Sequence, residues 1–250
     1  MRPVRPAWLL PILSSIAIWE IFARAQVVPA YFFPPFSAVM AKMYQLLVSG
    51  VLTQNLTSSL IRVLAGLLIG SISGVAMGIL MGSRETINKM FHPIFSLLMP
   101  IPALGWAPLF MLWIGINEAL PIALVFMCSF FPLLYNTITG IKEVDKDYIK
   151  VAKTLNASEW KILTTIILPL ALPNILTGLR LEAGMAWRVI VAAEMVAIPT
   201  GIGALLIRSE SLLRVDVIMV CLIVLSVMCL LFEKSLQFLE HLIMKWKVTS

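Results

Sequence analysis

Thr57-Ser-Ser-Leu-Ile-Arg-Val-Leu-Ala-Gly-Leu-Leu-Ile-Gly-Ser-Ile-Ser-Gly-Val-Ala-Met-Gly-Ile-Leu-Met-Gly82 decides the fold class. A bilayer core of about 30 Å is crossed by about 20 helical residues, and this run is long and apolar enough to cross it. Stretches 7–25, 93–114, 119–138, 176–198 and 215–234 also qualify. The composition agrees: 60% of the 250 residues are hydrophobic and 13% charged, against about 45–50% and 25% in soluble domains. The expectation is an all-α, polytopic membrane protein with about six spans, forming a single domain over 1–250. No soluble domain or low-complexity tract interrupts it. The formal charge of +6 does not point to nucleic acid, because the cations flank apolar spans instead of clustering with aromatics on a polar surface.

Orientation follows from the Lys and Arg residues in the loops. With the N-terminus in the cytoplasm and six spans alternating, the inside holds Arg2, Arg5, Arg84, Lys89, Lys142, Lys146, Lys150, Lys153, Lys161, Lys234, Lys245 and Lys247. The outside and its edges hold only Arg24, Lys42, Arg62, Arg208 and Arg214. Both termini are therefore expected in the cytoplasm. The first span has a second reading. Arg2 and Arg5 precede an apolar run ending in Ala23-Arg24-Ala25, the shape of a signal-peptide cleavage site. Glu20 and Pro11 interrupt that run and argue against cleavage. The cysteines Cys128, Cys221 and Cys229 lie in apolar stretches and read as small buried hydrophobes. No Cys or His spacing has the form of a metal site, and His92 and His241 are far apart.

Within the opening stretch, Gly66, Gly70, Gly74, Gly78 and Gly82 recur every four residues. Small residues at that spacing form a shallow groove for a neighbouring helix. Each step of four rotates about 40° around a straight helix, so the stripe winds and can serve more than one neighbour. The expected role is helix packing. The third span carries Pro93, Pro100, Pro102 and Pro108. Proline removes a backbone donor and bends the helix, and the freed carbonyls need protein or water. Pro100 and Pro102 are thus candidates for the wall of a translocation path. Glu182, Arg188 and Glu194 lie in the fifth span, about 120° apart around a helix. No two share a face, so each needs a partner elsewhere; Glu20 is one candidate for Arg188. Two readings of Arg188 and Glu194 stand: they line an anion path, or they pair between helices.

Segment 26–56 is outside in this topology. It opens with prolines, and Ser37 can cap a short amphipathic helix reaching about Val48. Segment 139–175 is the large cytoplasmic loop. Asp145 or Asp147 can start a helix there, with Tyr148, Val151, Ala152 and Leu155 on one face at helical spacing. Asn156 suits the left-handed residue that ends a helix. Ser158 can cap a second helix, with Glu159 in its first turn, and Pro169 and Pro173 close the unit. A helix–turn–helix with a small apolar patch flanked by Lys150 and Lys153 suits a groove on a soluble partner.

At these residues the chain resembles a family. Lys150-Val-Ala-Lys-Thr-Leu-Asn156, followed by Ile167-Leu-Pro169, is similar to the cytoplasmic loop of binding-protein-dependent ABC transporter permeases, most of all the nitrate/sulfonate/taurine/bicarbonate branch. Met99-Pro-Ile-Pro-Ala-Leu-Gly-Trp-Ala-Pro-Leu109 with Leu112-Trp-Ile-Gly115 resembles that branch's third span. Leu176-Thr-Gly-Leu-Arg-Leu181, Ala186-Trp-Arg188 and Ala193-Glu-Met195 resemble its fifth. Phe33-Pro-Pro-Phe-Ser-Ala-Val39 resembles its external proline loop. The resemblance implies a permease subunit of an ATP-driven importer in the cell membrane. It implies that Tyr148, Lys150, Val151, Ala152, Lys153, Leu155 and Asn156 couple to a separate ATPase dimer. ATP and magnesium would sit on that partner, since this chain has no G-x-x-x-x-G-K-[ST] loop. It also implies a second permease copy, an identical one being expected, and an extracytoplasmic solute-binding protein. Two positions depart from the family pattern: its leading Glu is Lys150 and its Gly is Asn156.

Two other function classes make different demands. An intramembrane enzyme needs a nucleophile or metal motif, and Gly70-Ser-Ile-Ser-Gly74 has Ile where G-x-S-x-G has its serine. A stand-alone secondary transporter needs paired broken spans in inverted halves, and the proline-rich third span has no clear counterpart. The cargo stays open among sulfonates, nitrate, bicarbonate and an amine-like metabolite, with a small anion expected.

Overall fold

The computed structural model describes residues 9–244, and all regular structure among them is helical. The cations Arg2, Arg5, Lys245 and Lys247 lie outside the described residues. In chain order the helices are α1 (Leu9–Arg24), α2 (Phe36–Val48), α3 (Val51–Ser83), α4 (Glu85–Leu98), α5 (Ala107–Ile114) and α6 (Ala119–Lys142). They continue with α7 (Lys146–Thr154), α8 (Glu159–Ile162), α9 (Leu168–Ala197), α10 (Ile202–Ser211) and α11 (Val215–Ile243). A tight 3-10 turn at Ala103–Trp106 leads into α5, and a wide π turn at Leu163–Ile167 joins α8 to α9.

Among the described residues four helical stretches are long and apolar enough to cross a bilayer, and a fifth is added if the bent pair α4–α5 counts as one span. The expected first span begins in undescribed residues. Its described part, α1, has 16 residues, about 24 Å at 1.5 Å per residue. The third span differs most from a simple rod. Pro100 and Pro102 withhold two amide donors, so α4 cannot run on, and the chain turns through 87° before residues 103–114. Pro93 is accommodated inside α4. The fourth and fifth spans extend beyond the expected bounds, to Lys142 and back to Leu168.

The middle of the bundle is α6, which packs most extensively against α3 and α9. Of its most apolar window 44% is buried, against 22% in α11, so α6 is enclosed while α11 borders lipid or a partner. The glycine stripe explains the tightness of α3 against α6. A methyl at Gly66 would stand 2.6 Å from Val125 Cβ, and one at Gly78 would stand 2.5 Å from Thr137 Cβ. Gly70 meets Ser129, Gly74 meets Phe130 and Gly82 meets Ile141. All five face this one helix, which corrects the expectation that the winding stripe serves several neighbours. The helices wrap about one another, so a period of four stays in register with a single partner.

Trp187 of α9 is fully buried among Val63, Val125 and Ile190, edge-on to Phe232 of α11. At the end where α3 begins, α2 and α10 pack on α3 and α11 through Val39, Leu52, Ile202, Leu205 and Val220. Helix α10 was not foreseen. Ser37 does not cap α2: the cap position is Pro35, and the Ser37 amide and hydroxyl both donate to Glu20 (3.0 and 2.8 Å).

Candidate functional site

Helix α7 forms for local reasons. The Asp145 carboxylate accepts the Asp147 amide at 2.9 Å, which satisfies one orphan donor of the first turn. At the other end Asn156 adopts φ 57°. Its amide donates to the Lys153 carbonyl, and the Ala157 amide donates to the Ala152 carbonyl. That pair of bonds is the Schellman closure, which needs a left-handed residue where the helix stops. Asn therefore serves where the family pattern has Gly. Ser158 then accepts the Lys161 amide at 3.3 Å and starts α8.

The α7 face divides in two. Ala152 is buried on the side facing away from the apolar patch. This corrects the reading that placed it in the displayed patch. Tyr148, Val151 and Leu155 point away, at 59, 60 and 78% exposure. Lys150 forms an ion pair with Asp147 at 2.8 Å, and Lys153 borders a cavity toward α3 and α4. Three large apolar side chains held outward on a doubly capped helix are an unfinished contact. Covering each fully is worth about 1.5–3 kcal/mol.

The opposite end of the bundle holds a different assembly. Arg62 is 2% exposed, one turn beyond Ser59 on α3. All five guanidinium donors are used. Nε and Nη2 grip Glu118 at 2.6 and 2.8 Å, Nη1 donates to Glu194 at 2.7 Å, and both Nη atoms reach Thr200. This bidentate grip holds the Glu118 carboxyl below the usual carboxylate range. Glu194, wholly buried, also accepts from Ser59 Oγ (2.8 Å to Oε2) and from the Gly203 amide at 3.0 Å. Gly201 has φ 113°, and any Cβ there would run into the Glu194 carboxylate. The cluster ties α3, the approach to α6, the end of α9 and the start of α10 into one unit.

Glu194 is therefore a clamp residue in this conformation and lines no open path. Arg62, Glu118, Ser59 and Thr200 escaped the sequence reading, which counted Arg62 as a loop-edge cation. The available signal was a lone cation inside an apolar run whose partners lie far off in the chain.

The remaining charges on α9 are not in this cluster: Arg180 pairs with Glu240 of α11 at 3.3 Å, leaving Glu182 and Arg188. Glu182 is buried and takes a weak contact from the Cys128 thiol at 3.6 Å. Of the three cysteines only Cys221 is fully buried, and all three are free. Arg188 is exposed on the same stripe as Leu181, Met185 and Val196. Its one side-chain hydrogen bond among the described residues is to the Met185 sulfur at 3.5 Å. Glu20, a candidate partner from sequence, instead pairs with Arg24 at 2.7 Å and holds Ser37. Pro100 and Pro102 are exposed at the α4–α5 bend. No cluster able to hold a metal ion occurs among the described residues.

Comparisons with known proteins agree with this architecture. Residues 66–245 match the family described as "Binding-protein-dependent transport system inner membrane component". The chain is 32% identical over 236 residues to the taurine transport system permease protein TauC of Escherichia coli, covering 92% of this chain and 86% of that protein. It is 31% identical over 244 residues to the bicarbonate transport system permease protein CmpB of Synechocystis, covering 93% and 86%. It is 30% identical over 251 residues to the nitrate import permease protein NrtB of Synechocystis, covering 97% and 90%. Among solved structures, an inward-facing conformation of the MetNI methionine ABC transporter superposes with a TM-score of 0.66 at 16% identity, over 81% of this chain and 98% of that one. An amino acid ABC transporter with histidines gives 0.65 at 19% identity, over 81% and 96%.

Proposed function

This chain belongs to the binding-protein-dependent transport system inner membrane component family, as a transport permease subunit and not an enzyme, and we propose that it carries a small anion through the membrane under power from a separate ATPase docked on α7. The observation that carries the proposal is the α7 face. Tyr148, Val151 and Leu155 are exposed, while Ala152 and both caps fix the helix beneath them. A helix capped at both ends and carrying an apolar crest fits a groove on a soluble partner.

Two copies of the chain, identical in the simplest assembly, enclose the path. Arg188 supports this part of the reading. A guanidinium on an otherwise apolar face is costly against lipid, and no carboxylate in the described chain answers it. The second copy, water in the path or the cargo itself supplies the missing partner. A cation so placed favours anions, in line with the sulfonate, nitrate and bicarbonate class. An extracytoplasmic binding protein delivers the cargo, ATP and magnesium act on the partner, and both termini lie in the cytoplasm, where the Lys-rich α7 end belongs.

The test is co-purification of the full chain in mild detergent, followed by mass spectrometry. An ATP-hydrolysing subunit and a solute-binding protein are expected with it, and the ligand on the latter names the cargo. Transport by the chain alone in liposomes, with no ATPase present, contradicts the proposal and favours a secondary transporter.

A further inference from the structure

At the α7 end, a cavity of about 1030 Å³ opens between the turn that links α3 to α4 and the α7–α8 unit. Its size is at the upper limit of pockets for drug-sized ligands, about 300–1,000 Å³. Two cations line it, Arg84 and Lys153. Neither takes part in an ion pair among the described residues, whereas the Glu85 carboxylate on the same wall is already held by Lys89 at 2.8 Å. Glu159 is the one lining acid without an ion-pair partner among the described residues, so the local balance is positive once Lys89 is counted with Glu85. The remaining walls include Ile87, Ile149 and Ile162, and Trp160 stands at the rim, 72% exposed.

The lining combines two chemistries, cations and branched apolar side chains. A free inorganic anion would satisfy only the first. The cavity also lies where α3 and α6 end and α9 begins, at the level where spanning helices leave the hydrocarbon, and an exposed Trp is at home at that level. Basic pockets between spanning helices at that depth take anionic lipid headgroups. We propose that this cavity binds an anionic phospholipid, with the phosphate between Arg84 and Lys153 and the glycerol and upper acyl chain along the isoleucine wall. The lipid would rest against Lys153 of α7 and the first turn of α4 together. It would therefore brace the helix that carries the apolar crest, whichever partner that crest meets.

The test uses the full chain in detergent, titrated with phosphatidylglycerol or phosphatidylcholine and followed by native mass spectrometry. Preferential retention of phosphatidylglycerol is expected. Arg84→Gln should weaken that retention about fivefold, the effect of one basic residue at a membrane surface. Ser83→Trp, which fills the cavity and removes no cation, should weaken it as well, while Arg208→Gln at the opposite end should leave it unchanged. Equal retention of the two lipids overturns the proposal, as does retention indifferent to both Arg84→Gln and Ser83→Trp. Displacement by inorganic phosphate also overturns it, because the site would then be one for free anions.

Discussion

The two ends of this bundle solve opposite problems. At the Arg62 end, charges are buried and answered within the chain: one guanidinium spends all five donors on Glu118, Glu194 and Thr200. At the α7 end, apolar side chains are exposed and unanswered, with Tyr148, Val151 and Leu155 held outward on a capped helix. The first arrangement ties four elements into one geometry, and removing its cation, Arg62, would strand the buried Glu194 carboxylate. The second is fixed only beneath its surface, so its exposed side is free to meet another molecule. The same chain is closed at one end and unfinished at the other. That asymmetry suits a subunit that must keep its helices in place while a partner works on one of its faces.

Substitutions test this contrast, and their effects on stability should fall in a set order. Arg62→Leu comes first. It leaves Glu194 wholly buried without its cation, a loss of about 3–5 kcal/mol, visible as a large drop in melting temperature or in monodisperse yield. Adding Glu194→Leu should recover part of the loss; an unaltered melt for Arg62→Leu alone would mean the cluster is ornamental. Gly78→Leu comes next, since its side chain must displace Thr137 of α6. Overpacking of this kind costs about 1–3 kcal/mol, readable in the same melt.

Smaller effects belong to the α7 end. Asn156→Val forces a branched residue into the left-handed region, a penalty of about 1–2 kcal/mol, while Asn156→Gly should be tolerated. Faster hydrogen exchange confined to α7 in the valine variant, and absent from the glycine variant, is the expected signature. Leu155→Ser should change the melt by no more than about 0.5 kcal/mol. Its effect should appear instead in function. Losing a buried leucine contact with a partner weakens docking about tenfold or more, measurable as reduced ATPase co-purification and solute uptake. Arg188→Gln should likewise leave assembly intact and lower anion uptake; loss of assembly would mark Arg188 as a packing residue.

The α7–α8 unit was legible in the sequence because its signals are local. Asp145, Asn156 and Ser158 each act within a few residues of themselves. The inward turn of Ala152 was not legible, since its spacing fits the exposed face as well as the buried one, and only the packing of the loop on the bundle separates them. The glycine stripe was visible, but a straight-helix projection spread it over several neighbours, whereas wrapping of α3 and α6 assigns it to one. The bend at Pro100 and Pro102 could be foreseen, but not its 87°, which depends on what the freed ends pack against. The Arg62 cluster was hidden because its parts are distant: Glu118 is 56 residues away and Thr200 is 138. Loop counting recorded Arg62 as a topological marker, and no local pattern pairs it with carboxylates so far along the chain.

In the proposed function the α7 crest is completed by a nucleotide-hydrolysing partner. Leu155→Cys in otherwise native membranes, treated with a short bifunctional crosslinker, should yield a product containing that hydrolase, whereas Leu222→Cys on the exposed face of α11 should not. A folded, transport-competent Leu155→Cys chain that never joins a nucleotide hydrolase under these conditions would contradict the account.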